Sequence, residues 1–73
     1  MNKWQAELLN ELERVEYQMM EIRGEIAEAA RDHEEESQAF TDCEDMYRLA
    51  DHIITMLGDA ERIAQEFGTP VRV

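Results

Sequence analysis

RDHEEESQAFTDCED, residues 31–45, is the stretch where one apolar seam stops and another begins out of phase. Upstream of it, Leu8, Leu12, Val15, Met19, Ile22, Ile26, Ala29 and His33 recur in alternating steps of four and three, the spacing of an amphipathic helix. Downstream, Cys43, Met46, Ala50, Ile53, Leu57, Ala60, Ala64 and Phe67 repeat the same steps. From His33 to Cys43 is a step of ten, neither seven nor eleven, so a continuous helix would swing its apolar face away at this point. Glu34, Glu35 and Glu36 repel one another and oppose the negative end of the first helix dipole. The chain therefore reads as a hairpin of two long helices.

Capping residues set the expected boundaries. Asn2 is a suitable N-cap for a helix over about residues 3–35. Thr41 with Glu44 has the capping-box form, which starts the second helix at about residue 42, after an acidic connection over about 34–41. Gly68 suits a left-handed turn and Pro70 forbids continuation, so that helix ends near residue 67 and leaves an extended tail, 68–73. Gly24 falls opposite the first seam, where it weakens the helix without breaking it. At 73 residues the chain is one helical domain of the all-α class.

Two such helices have more apolar surface than each can hide on the other. Tyr47, Leu49, Ile54, Met56 and Ile63 lie outside the second seam, and Trp4, Leu9 and Met20 outside the first. The expected lengths also differ, leaving the Trp4 to Leu12 end of the first helix partly uncovered. Three arrangements satisfy the surplus: a homodimer forming a four-helix bundle, docking on another protein, or a kink folding the N-terminal turns back. A parallel coiled coil is disfavoured, because it sets Glu11 beside Glu16.

Charge narrows the function. With 7 Lys/Arg against 18 Asp/Glu the net charge is −11, which opposes direct binding to nucleic acid and to anionic membranes. Asp32, Glu34, Glu35, Glu36, Asp42, Glu44 and Asp45 gather near the expected tip, with Arg31 as the one cation of that segment. Such a tip fits either solvation and helix capping or a contact with a basic protein surface. The candidate protein-binding residues are these seven acids together with the apolar anchors Trp4, Leu8 and Leu9. A further row, Glu7, Glu11, Glu21, Glu25, Glu28, Asp32 and Glu35, is the material for nucleic-acid mimicry, although Arg14, Arg23 and Arg31 interrupt it.

Catalytic chemistry finds little footing. Cys43 is the sole cysteine and reads as a small hydrophobe on the seam, which excludes an intrachain disulfide and a cysteine-based zinc site. His33 reads as a partly buried polar residue and His52 as a surface one, neither beside a nucleophile. No catalytic residue, cofactor or metal is assigned. The N-terminus has no signal-peptide core, and no apolar run is long enough to span a bilayer. The expected location is the cytoplasm.

Two resemblances bear on function. Glu21 to Glu28, with Glu25 and Glu28 spaced Glu-x-x-Glu, resembles the first motif of the MazG-type nucleoside triphosphate pyrophosphohydrolases. That likeness implies Mg²⁺ held by Glu25, Glu28, Asp42 and Asp45, with Arg31 or Arg48 meeting a triphosphate. The second motif departs from the family: Asp42 replaces Glu, Thr41 stands where lysine is usual, and the stretch from Arg48 to Asp51 lacks its acid. In overall character (small size, strong acidity, a hairpin and the Glu34–Glu36 tip) the chain resembles small acidic bacteriophage-encoded inhibitors and regulators of host machinery. That resemblance implies stoichiometric binding to RNA polymerase or another nucleic-acid-handling protein in the host cytoplasm. Mimicry of nucleic acid is the alternative, and a degenerate MazG-like enzyme the second alternative.

Overall fold

A computed structural model describes residues 2–68. Two helices, α1 (Lys3–Arg31) and α2 (Gln38–Gln65), form a hairpin measuring 51 × 26 × 11 Å, a slab one helix thick. Helix α1 is continuous through Gly24, so its N-terminal turns do not fold back.

Its first turn is fixed by a reciprocal cap. The Asn2 side chain accepts from the Gln5 amide at 2.8 Å, while the Asn2 amide donates to Gln5 Oε1 at 3.1 Å. The other end stops four residues earlier than expected. Asp32 caps α1, and its amide turns back to the carbonyls of Ala29 and Ala30. The three glutamates that oppose the helix dipole thus stay outside the helix.

Helix α2 begins one turn earlier than the Thr41 capping box predicts. Ser37 is the N-cap: its hydroxyl accepts from the Phe40 amide at 3.1 Å and donates to the Glu34 carbonyl at 2.6 Å. Thr41 lies inside the helix, its hydroxyl 3.4 Å from the Ser37 carbonyl. Serine serves as a cap at least as well as threonine, and the extra turn brings Phe40 into the inner row half-buried. With 29 and 28 residues the helices match in length, so the overhang expected at Trp4 to Leu12 is absent. Gly68 takes the left-handed conformation, φ +74°. Pro70 and the tail expected to follow it lie outside the described residues.

Both seams are rotated by one position on alternate steps. In α1 the inner row is Gln5, Leu9, Leu12, Glu16, Met19, Arg23, Ile26 and Ala30, all buried or half-buried. Val15, Ile22, Ala29 and His33, expected inside, are exposed, and Leu8 is half-buried. In α2 the inner row keeps Cys43, Ala50, Leu57 and Ala64, with Ile54 and Glu61 half-buried between them; Met46 and Ile53, expected inside, are exposed, as is Tyr47, and Ala60 stays half-buried. The small residues Cys43, Ala50 and Ala64 belong to either frame; the rotation brings Glu16 and Arg23 inward in place of Val15 and Ile22, where they reach Gly58 and Asp51 of α2.

The resulting core is thin. Leu9, Cys43, Ala50 and Ala64 are its buried apolar residues, and among the described residues no large side chain is completely enclosed. Gln5 is buried with them, and its Nε2 donates to the carbonyls of Ala64 at 3.0 Å and Phe67 at 3.3 Å. One side chain therefore closes the N-terminus of α1 and the C-terminus of α2 together. Trp4 meets Phe67 edge-on at the same end, with ring centroids 5.2 Å apart.

Candidate functional site

The hairpin turn gathers the acids that the sequence singled out. Asp32, Glu34, Glu35 and Glu36 lie in the connection, and Asp42, Glu44 and Asp45 on the first turns of α2; all seven are exposed. Asp42 accepts from the Gln38 amide group at 2.9 Å, and Asp45 faces Arg48 at 3.7 Å. Exposed pairs of that length contribute little, so the tip keeps its negative field.

An open cleft of about 460 Å³ adjoins the tip. Ile26, Ala30, His33, Phe40, Cys43 and Tyr47 line it, with Glu35, Glu44 and Arg31 as its charged members. Its volume falls in the range of ligand-binding clefts, and its apolar floor beside carboxylates offers an anchor within reach of the acids. Sequence reading missed this cleft. The signal was present as Phe40 and Tyr47, seven apart on α2, facing Ile26 and Ala30, four apart on α1. His33 is not the partly buried seam residue expected, but an exposed residue of the connection.

The apolar anchors do not join the acids. Trp4, Leu8 and Leu9 sit near the opposite end of the hairpin, roughly 33–40 Å from Arg31 at the helical rise. Leu9 is also buried, at 6% exposure, and cannot serve as a docking side chain. Trp4 remains 54% exposed and Leu8 half-buried. A single compact partner surface cannot take both ends.

The two broad sides of the slab differ in chemistry. One carries Arg23, which forms an ion pair with Asp51 and lies 5.9 Å from the centre of the Tyr47 ring. On that side Glu16 also faces α2, 3.6 Å from where a Cβ on Gly58 would stand. Glu61 is held above its ordinary value of 4.5, first by burial, then by its hydrogen bond to Glu16 and the charges of Glu16 and Glu13. The other side is apolar, with Val15 and Ile22 of α1 beside Met46 and Ile53 of α2. In an antiparallel pair, the positions that precede alternate inner residues on each helix fall on the same side, which places these four together. Tyr17 and Met20 turn to the opposite side.

The residues suggested by the pyrophosphohydrolase resemblance are not assembled. Among the described residues, no group of three or more His, Cys, Asp or Glu side chains converges to hold a metal ion, so Glu25, Glu28, Asp42 and Asp45 form no such cluster. The mimicry row is also partly neutralised, because Glu11 is paired with Arg14. No helix among the described residues is long and apolar enough to cross a membrane. No protein-family model matches the chain, and no curated protein and no solved structure matches it significantly.

Proposed function

We propose that this chain is a small acidic protein-interaction module that acts by stoichiometric binding, as an inhibitor or regulator of nucleic-acid-handling machinery such as RNA polymerase. The observation that supports this reading is the joint placement of seven exposed acids and an apolar cleft at one end of the hairpin. The acids steer a basic surface toward the tip. An apolar side chain of that surface then seats between Ile26, Phe40 and Tyr47, where aromatic contacts supply most of the affinity.

Titration of the protein into purified bacterial RNA polymerase, read by anisotropy at low and high salt, tests the idea. Substituting Glu34, Glu35 and Glu36 by Gln weakens binding about tenfold at low salt, from roughly 0.5 kcal/mol per rim charge. The salt dependence flattens and helicity stays unchanged. Competition with DNA that disappears in the same variant would favour mimicry over plain docking. Binding unaffected by the triple substitution would remove both readings.

A further inference from the structure

Beside its inner row α2 carries a second apolar heptad seam that is largely exposed; its last member, Phe67, lies just past the helix and meets Trp4 of α1. Met46, Leu49, Ile53, Met56, Ala60, Ile63 and Phe67 follow steps of three and four with no charged residue among them. Six of the seven are between 41% and 63% exposed, and Ala60 is half-buried. Val15 and Ile22 of α1 extend this stripe into an apolar broad side.

We infer that this side is covered by a second copy of the chain, with the two α2 helices antiparallel about Met56, giving a four-helix bundle. The inference stands on the apolar side alone and not on the role of the acidic tip.

The first argument is stability. A two-helix hairpin with four buried apolar side chains does not offset its chain entropy. The cover must therefore be present whenever the chain is folded, and a second copy meets that demand. Area agrees: the broad side measures 51 by 26 Å, an outline on the order of 1,000 Å², against ~800 Å² per partner in a stable interface.

The second argument is self-complementarity, which a two-fold interface requires. Antiparallel pairing about Met56 sets Met56 against its own counterpart and Leu49 against Ile63 of the other copy, and brings Met46 to within one residue of its Phe67 and Ile53 to within one residue of its Ala60. Every member of the seam meets an apolar side chain, and nothing charged enters it.

Charge selects the direction. A basic partner finds no acid in this stripe to recognise. With −11 on each chain, parallel pairing would press two acidic tips together. Antiparallel pairing sends the tips to opposite ends, many Debye lengths (~8–10 Å each) apart. The clefts open on the sides facing away and stay accessible.

Sedimentation equilibrium of the full chain is expected to give twice the 8.6 kDa chain mass at micromolar concentration. Orientation is tested by Met56→Cys in a Cys43→Ala background under mild oxidation. It should cross-link to itself at least tenfold faster than Tyr17→Cys on the opposite side. A folded 8.6 kDa monomer at 100-fold higher concentration would overturn the inference, as would equal cross-linking at the two positions. The triple Gln variant of the tip keeps the dimer mass, so failure of partner binding and failure of dimerisation are read separately.

Discussion

The two broad sides of this hairpin share one heptad frame and differ by the row that flanks the contact. On one side the flank is Val15, Ile22, Met46 and Ile53; on the other it includes Tyr17, Met20 and the groups around Arg23, Glu16 and Glu61. A helix one residue in rotation from where it lies would have exchanged these roles. An amphipathic seam fixes that two helices pack, but not which of two adjacent apolar rows turns inward. The row left outside marks the surface that a further chain must cover.

The largest effect comes from charging the apolar side. Ile53→Asp with Met56→Asp forfeits about 2 kcal/mol for each apolar side chain whose burial is lost. The same change in type at Tyr17, Tyr17→Asp, stays within about 0.5 kcal/mol as an exposed substitution. Urea unfolding followed by circular dichroism checks the pair. Equal midpoints for the two variants would erase the distinction between the sides.

Next in size is the link at the far end of both sides. Gln5→Ala leaves the Ala64 and Phe67 carbonyls without their buried donor and unmakes half of the Asn2 cap. The expected cost is about 1–3 kcal/mol. Hydrogen exchange should show faster opening of the last turn of α2, with the tip unaffected. Uniform acceleration along both helices would mean that Gln5 holds the whole hairpin rather than one end.

How much of this was legible beforehand follows from the same residues. The hairpin, the Asn2 cap, the buried Cys43 and the acids of the turn all come from local signals that nothing in the fold opposes. Ser37 and Thr41 are both credible caps; the half-burial of Phe40 decides between them, and that depends on α1. Rotation of the seams was hidden for a related reason. Ala50 and Ala64 belong to either frame, so the apolar pattern is decided by Val15, Ile22 and Ile53 and gives them the inside, while the fold turns Glu16, Arg23 and Ile54 inward through cross-helix contacts such as Arg23 with Asp51 that no single-helix pattern contains. Leu9 and Gln5 entered the core by that rotation, and Leu9 left the set of docking residues with it. The separation of Trp4 from the acids was implicit in the hairpin itself, since each belongs to a different end of α1.

A smaller effect tests whether stability can be raised without touching either flank. Nothing lies within 4 Å of a Cβ placed on Gly24, which sits one heptad beyond the exposed Tyr17. Gly24→Ala should stabilise the hairpin by roughly 0.5–1 kcal/mol through the unfolded chain alone. Its thermal midpoint should rise while the association constant stays fixed. A change in association would show that this row contacts a partner.

The last effect is confined to the carboxylate side and appears only as a function of pH. Glu61 is pushed up from 4.5 by burial and by Glu16 and Glu13, so folding favours its protonated form. A raised carboxyl contributes stability that is complete below its unfolded value and is lost as pH rises through the folded one. Glu61→Gln keeps a neutral hydrogen-bonding group beside Glu16 at every pH. The variant should match the parent near pH 4 and exceed it at neutral pH, the gap opening just above the ordinary carboxylate range. Because the carboxylates away from Glu16 and Glu13 titrate alike in both proteins, the difference between the two urea midpoints isolates this cluster. The apolar side contains no titrating member of its stripe, so the same comparison made with Ile53→Val should give a constant offset across pH. A gap of the opposite sign for Glu61→Gln, widening toward acid, would mean that Glu61 is stabilised as a carboxylate and that the two sides are not divided as their contacts suggest.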